Sequence, residues 1–105
     1  MIDWAQITGF IRDDGNSRKN VEKHGVYQSE AEQTFLNEPL LVLEDSKHSH
    51  KEARYHALGE TDDERLLHIT FTLRGDGTLT RVISARDMHH KERAFYEQIK
   101  KDARI

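Results

Sequence analysis

Arg74, Arg81 and Arg86 lie on two neighbouring stretches that read as strands, and the second, Arg81-Val-Ile-Ser-Ala-Arg86, leads straight into a helical stretch carrying Glu92, Arg93 and Tyr96. A guanidinium is planar, stays charged and offers paired donors to phosphate oxygens, so arginines delivered by a strand suit a phosphate-bearing substrate. Reaction at such a centre also needs groups that take up and return a proton, and an unperturbed imidazole titrates near pH ~6.5. His24 and His68 are the leading candidates for that role, with Tyr96 and Glu92 behind them. We expect Arg74, Arg81, Arg86 and His24 to be catalytic and Lys19, Lys23, His68 and Tyr96 to bind substrate.

Each of these residues also has a structural use. Arg86 can pair with Asp87 or Glu92, and Lys23 and His24 suit the negative end of a helix dipole. Tyr96 can be a half-buried packing residue. Arg74 and Arg81 have less structural reason to share an open strand face.

The elements that must position these groups follow from period and punctuation. Leu66 to Arg74 alternates, with Leu67, Ile69, Phe71 and Leu73 on one face and His68, Thr70, Thr72 and Arg74 on the other. Asp76-Gly77 signals a two-residue turn into a strand over Leu79 to Ala85, which sets Thr72 opposite Arg81 and Phe71 opposite Val82. Continued without interruption, that register places Arg86 on the face opposite Arg81, so joint use of both requires a bend or twist. Asp87 is the expected cap of the last helix, with Met88, Phe95 and Ile99 as its buried stripe and Glu92, Tyr96 and Lys100 beside it.

Upstream, Ile7 to Arg12 reads as a short strand and Asp13-Asp-Gly-Asn16 as a turn. A helix follows over Ser17 to His24, stopped by Gly25. Ser29 with Glu32 suggests a capping box for a second helix carrying Ala31 and Phe35, ended by Pro39. Leu40 to Leu43 reads as a buried strand, and Arg54 to Leu58 as another closed by Gly59. His48, His50 and His56 surround a polar loop, but no histidine pair has the helical spacing with a carboxylate that marks a zinc hydrolase, so no metal is expected.

Composition bounds the possibilities. The 105 residues suffice for one small domain, and 35% hydrophobic against 33% charged residues makes the core lean. Absence of cysteine excludes disulfides, zinc-thiolate sites and thiol nucleophiles. The longest apolar run, Leu40 to Leu43, is far short of the ~20 residues of a membrane span, and a cytoplasmic protein is expected. Lys and Arg against Asp and Glu sum to zero over residues 1–27, −6 over 28–65 and +3 over 66–105, which add to the net −3. The chain thus has an acidic middle and a basic end.

Phe10-Ile-Arg-Asp13, Arg18, Asn20, Lys23-His-Gly-Val26, Glu30-Ala31, Phe35, Arg54, Gly59, Arg81-Val-Ile-Ser-Ala-Arg86, Glu92-Arg93 and Tyr96 occur in an order that resembles the BrnT family of toxins across nearly the whole chain. The resemblance implies a RelE-like α+β fold with an antiparallel sheet, N-terminal helices and a C-terminal helix. It also implies ribonuclease activity that blocks translation and neutralisation by a BrnA-like ribbon-helix-helix antitoxin. Promoter DNA would be met only through that complex. The family pattern has a tryptophan and a lysine where this chain has Arg12 and Asn16.

For such a nuclease the RNA supplies its own nucleophile, the 2′-hydroxyl, and the protein need add only a base, an acid and cations for the phosphorane, with no cofactor. Two other readings stay open. One is a binding module that keeps antitoxin contacts and promoter autoregulation with weakened catalysis; the other is a histidine-loop metal protein.

Overall fold

The computed structural model describes residues 2–49 and 51–103. After a 3-10 turn at Trp4–Gln6, the elements in chain order are β1 (Gly9–Ile11), α1 (Asp14–His24), α2 (Gln28–Thr34), β2 (Leu41–Glu44), β3 (Arg54–Glu60), β4 (Leu66–Arg74), β5 (Leu79–Asp87) and α3 (His90–Asp102). The strands form a five-stranded sheet of order β1-β5-β4-β3-β2. All neighbours are antiparallel except β1, which runs parallel to β5. The sheet is therefore mixed, because β1 reaches its edge position before the chain turns into α1.

Leu67, Ile69 and Phe71 alternate onto one face, where they meet Val26, Ala31, Ala57, Val82 and Ala85 in the core under α1 and α2. Phe35, at the end of α2, lies edge-on to Phe71 with ring centroids 5.0 Å apart, and Trp4 closes over both rings at 6.4 Å. The β4–β5 hairpin turns as its sequence implies: Asp76 and Gly77 have φ of 57° and 87°, the doubly positive pair of the tight turn that suits strand twist.

Several boundaries differ from expectation. Helix α1 begins at Asp14 because Asp13 caps it, its carboxylate accepting from Asn16 N at 3.1 Å, so the expected turn is the first helical turn. The capping box of α2 belongs to Tyr27 and Glu30, not Ser29 and Glu32, since Val26 is already buried and fixes where the helix enters. Strand β2 is an edge strand with Leu43 77% exposed rather than a buried one. Gly59 does not end β3. The strand continues through it to Glu60, and a Cβ there would stand 3.0 Å from Thr34 Cβ and 3.1 Å from Leu40 Cδ1.

The last helix is corrected most. His89, not Asp87, is its N-cap, and Asp87 is engaged by Arg65 at 2.8 Å. Phe95 is exposed and Tyr96 is fully buried, so the helix buries the neighbouring stripe to the one expected. In the stripe of Glu92, Tyr96 and Lys100 each polar group finds a partner: Arg86 on β5, Pro39 O ahead of β2 and Glu60 on β3 respectively.

Candidate phosphate-binding and proton-transfer site

The site is made by a one-residue irregularity in β5. Thr72 pairs with Arg81 and Phe71 with Val82, as the turn requires, but Thr70 pairs with Ser84 and His68 with Arg86. Ile83 is the extra residue of a β-bulge. Directly opposed residues share a face, so the bulge moves Arg86 from the core side to the side of Arg81. Without it Arg86 would face Leu67 in the core. The twist or bend needed for joint use of the two arginines is thus present as a bulge.

On that second face the register stacks three rows across β3, β4 and β5: Arg54, Thr72 and Arg81; His56, Thr70 and Ser84; and Leu58, His68 and Arg86. Helix α3 lies over the last row, where the Arg86 guanidinium makes a forked pair with Glu92 at 2.8 and 3.1 Å. At the usual rise of about 3.3 Å per residue, the Arg81 and Arg86 rows are roughly 13 Å apart, with the His56 row between them.

The middle row holds a hydrogen-bonded chain. His56 Nε2 lies 2.9 Å from Asp45 Oδ2 and His56 Nδ1 lies 3.0 Å from Thr70 Oγ1. Bonding to His48 first, and also to His56, holds the Asp45 carboxyl down at about 2 despite its burial. An ionised carboxylate only accepts, which assigns the proton to Nε2 and leaves Nδ1 as acceptor from Thr70. His68 lies beside His56 with ring centroids 4.9 Å apart. Burial, then the nearby Arg86 charge, lowers His68 to about 4, against the raising effect of Glu92. Glu92 is itself lowered to about 2, chiefly by the Arg86 bonds. His68 is therefore neutral near pH 7 and a poor base, while His56 is more open and held in orientation.

The nominated residues divide accordingly. Arg86 and His68 are cross-strand partners and Arg81 shares their face. Arg81 is bonded to the cap residue Asp13 at 2.8 Å, and Arg74 to Glu52 at 2.9 Å, so neither presents the unpartnered guanidinium expected. Their side chains remain 24% and 44% exposed. Tyr96 is corrected from substrate binding to packing: it is buried, its hydroxyl donates to Pro39 O at 2.6 Å, and burial pushes it up to about 12.

Lys19 and Lys23 are exposed on α1 and form no side-chain bond to the described residues. The His24 carbonyl accepts from Arg65 at 3.3 Å, which places it at the α1 terminus rather than in the histidine row. Arg65 also bonds Asp87, Glu30 and Gly25 O and so ties α1, α2 and β5 together. Asp45, His56, Thr70 and Arg65 are the residues missed in sequence. Strand parity alone could have found His56, since it occupies the face of Thr70 once β3 and β4 are paired. Among the described residues no group of three histidines or carboxylates is arranged to hold a metal ion, and His50 lies outside those residues.

No curated protein matches the chain. Among solved structures, the ribonuclease toxin BrnT of Brucella abortus is similar, at a TM-score of 0.61 and 24% identity over 79% of this chain and 99% of that one. At that identity the likeness concerns the fold, an α+β sheet with three helices. The family model described as the ribonuclease toxin BrnT of type II toxin-antitoxin systems matches residues 13–92, a span from the Asp13 cap to Glu92 that contains the whole histidine row and all three arginines. The chain therefore belongs to the BrnT family of ribonuclease toxins.

Proposed function

We propose that the protein cleaves RNA by metal-independent acid and base chemistry on the second sheet face, and that this blocks translation, as in a RelE-like toxin. The observation that carries this reading is the bulge at Ile83, which brings Arg81 and Arg86 to one face around the Asp45–His56–Thr70 chain. The 2′-hydroxyl would take the position of Thr70 Oγ1 at His56 Nδ1 and lose its proton there as its oxygen attacks the adjacent phosphorus. Arg86 and Arg81 would stabilise the doubly charged phosphorane, and Arg74 and Lys23 would hold flanking phosphates. The leaving 5′-oxygen takes up a proton from the histidine pair or from water.

Each arginine must exchange a carboxylate for phosphate. Glu92, Asp13 and Glu52 balance the charge of the site and pre-orient the guanidiniums. The same pairs favour a second reading, in which the carboxylates keep the arginines from RNA and the chain acts as an antitoxin-binding module. A purified-protein cleavage assay separates the two. Under the first reading Arg81→Ala and His56→Gln each lower the cleavage rate by about 10²-fold or more at unchanged secondary structure. Wild-type protein without cleavage, or variants cleaving at the wild-type rate, would overturn it. Neutralisation is assigned to a BrnA-like ribbon-helix-helix antitoxin, with promoter DNA reached only through that complex.

A further inference from the structure

A second concave surface is lined by none of the three site arginines. It is an open groove of about 1140 Å³ between the end of α2, the start of β2, the β3–β4 connection and the last turns of α3. Its apolar lining includes Trp4, Phe35, Leu36 and Leu40, and Leu36 is 80% exposed, unusual for a leucine without a covering partner. Its polar lining is acidic: Glu38, Asp62 and Glu64 form no ion pair among the described residues, and Lys100 is consumed by Glu60 at 2.8 Å. The carboxylates are held by a built loop. Glu64 adopts a φ of 66°, its N–H donates to Thr61 O at 3.0 Å, and Asn37 Nδ2 donates to Asp62 Oδ1 at 3.0 Å.

An acidic apolar groove repels nucleic acid, so it does not extend the substrate path. It complements a protein segment with apolar side chains on one side and Lys or Arg on the other. A type II toxin has a protein partner, and Glu38, Asp62 and Glu64 give this groove the charge to select a basic one. We propose that the groove is the anchoring site for a basic, amphipathic segment of the antitoxin, separate from whatever part of it covers the arginines; this rests on the antitoxin reading above. The occupant inserts apolar side chains between Trp4 and Leu36 and sets its cations against Glu38, Asp62 and Glu64.

The test uses the antitoxin encoded beside the gene, titrated calorimetrically into full-length wild-type protein and the variants Leu36→Ser and Glu64→Lys. Both positions are exposed, so neither variant should unfold, and neither should change RNA cleavage. Each is expected to weaken antitoxin binding by about tenfold or more. Raising salt from about 0.05 to 0.5 M should weaken wild-type binding more than that of Glu64→Lys. Both variants binding within about twofold of wild type, with cleavage intact, overturns the groove assignment and leaves the nuclease reading standing. Wild-type protein that binds no antitoxin overturns the groove assignment and the antitoxin reading together. Self-association of the isolated protein that either variant abolishes, with antitoxin binding unchanged, also overturns the proposal by assigning the groove to a second copy.

Discussion

At the residue scale, His68 and Glu92 make acid stability a readout of the site. Folding lowers His68 to about 4 from its ordinary range, so the folded state takes up a proton less readily than the unfolded chain. The stability this contributes is fully present above about pH 6.5 and is lost as pH falls through about 4. Glu92, lowered to about 2, adds stability that is present above the usual carboxylate range and lost as pH falls from there toward 2. His68→Gln should therefore flatten the melting temperature between about pH 6.5 and 4 while the loss below pH ~4.5 persists; a wild-type-like slope between 6.5 and 4 would place the titration elsewhere. The three arginines show why residue type is an incomplete guide. Their suitability for phosphate is plain in the sequence, yet the carboxylates that engage them, Asp13 and Glu52, stand far away in the chain and are named only by the fold.

At the element scale, the bulge and the close approach at Gly59 are the two backbone features on which the arrangement depends. Deleting Ile83 would restore the uninterrupted ladder and turn Arg86 toward Leu67, placing a cation in the core and Ala85 on the outer face. We expect the deletion variant to be insoluble or to lose cooperative unfolding, measured by circular dichroism on melting; soluble, cooperatively folded protein with wild-type cleavage would refute the role given to the bulge. Gly59→Ala drives a methyl against Thr34 and Leu40, where α2 meets β3, and should cost about 1–3 kcal/mol in urea denaturation. Alternation and turn chemistry made β4, β5 and their hairpin legible. The bulge was not, because Ile83 is a good strand residue whether or not it has a partner, and only the packing of Ala85 beneath α1 decides that it has none.

At the scale of the whole molecule, two surfaces differ in their side chains. The arginine and histidine rows occupy the second sheet face, whereas the acidic apolar groove lies where α2, β2 and the end of α3 meet. No helix among the described residues is long and apolar enough to cross a membrane. Binding of single-stranded RNA should weaken with salt, with a log–log slope of about −0.7 for each phosphate contact. Arg81→Ala should make that slope shallower by roughly one contact, whereas Glu64→Lys in the groove should leave cleavage at the wild-type rate. Filter-binding titrations across salt concentrations would show this, and an unchanged slope in Arg81→Ala would remove that residue from the RNA path.

By itself the sequence determined the α+β class, the hairpin and its register as far as Phe71 and Val82, the stop of α1 at Gly25, and the family. These depend on local chemistry: strand parity, paired positive φ at Asp76-Gly77, and short blocks of residue types in a set order. Tertiary structure alone decided that Arg86 joins Arg81, that Asp45 orients His56, that Tyr96 is packing, and that Arg65 ties the helices to β5. The first follows from how β5 pairs with β4 and packs beneath α1, and the others are contacts between distant segments, whose partners are chosen by which groups burial leaves in need of a charge or a hydrogen bond.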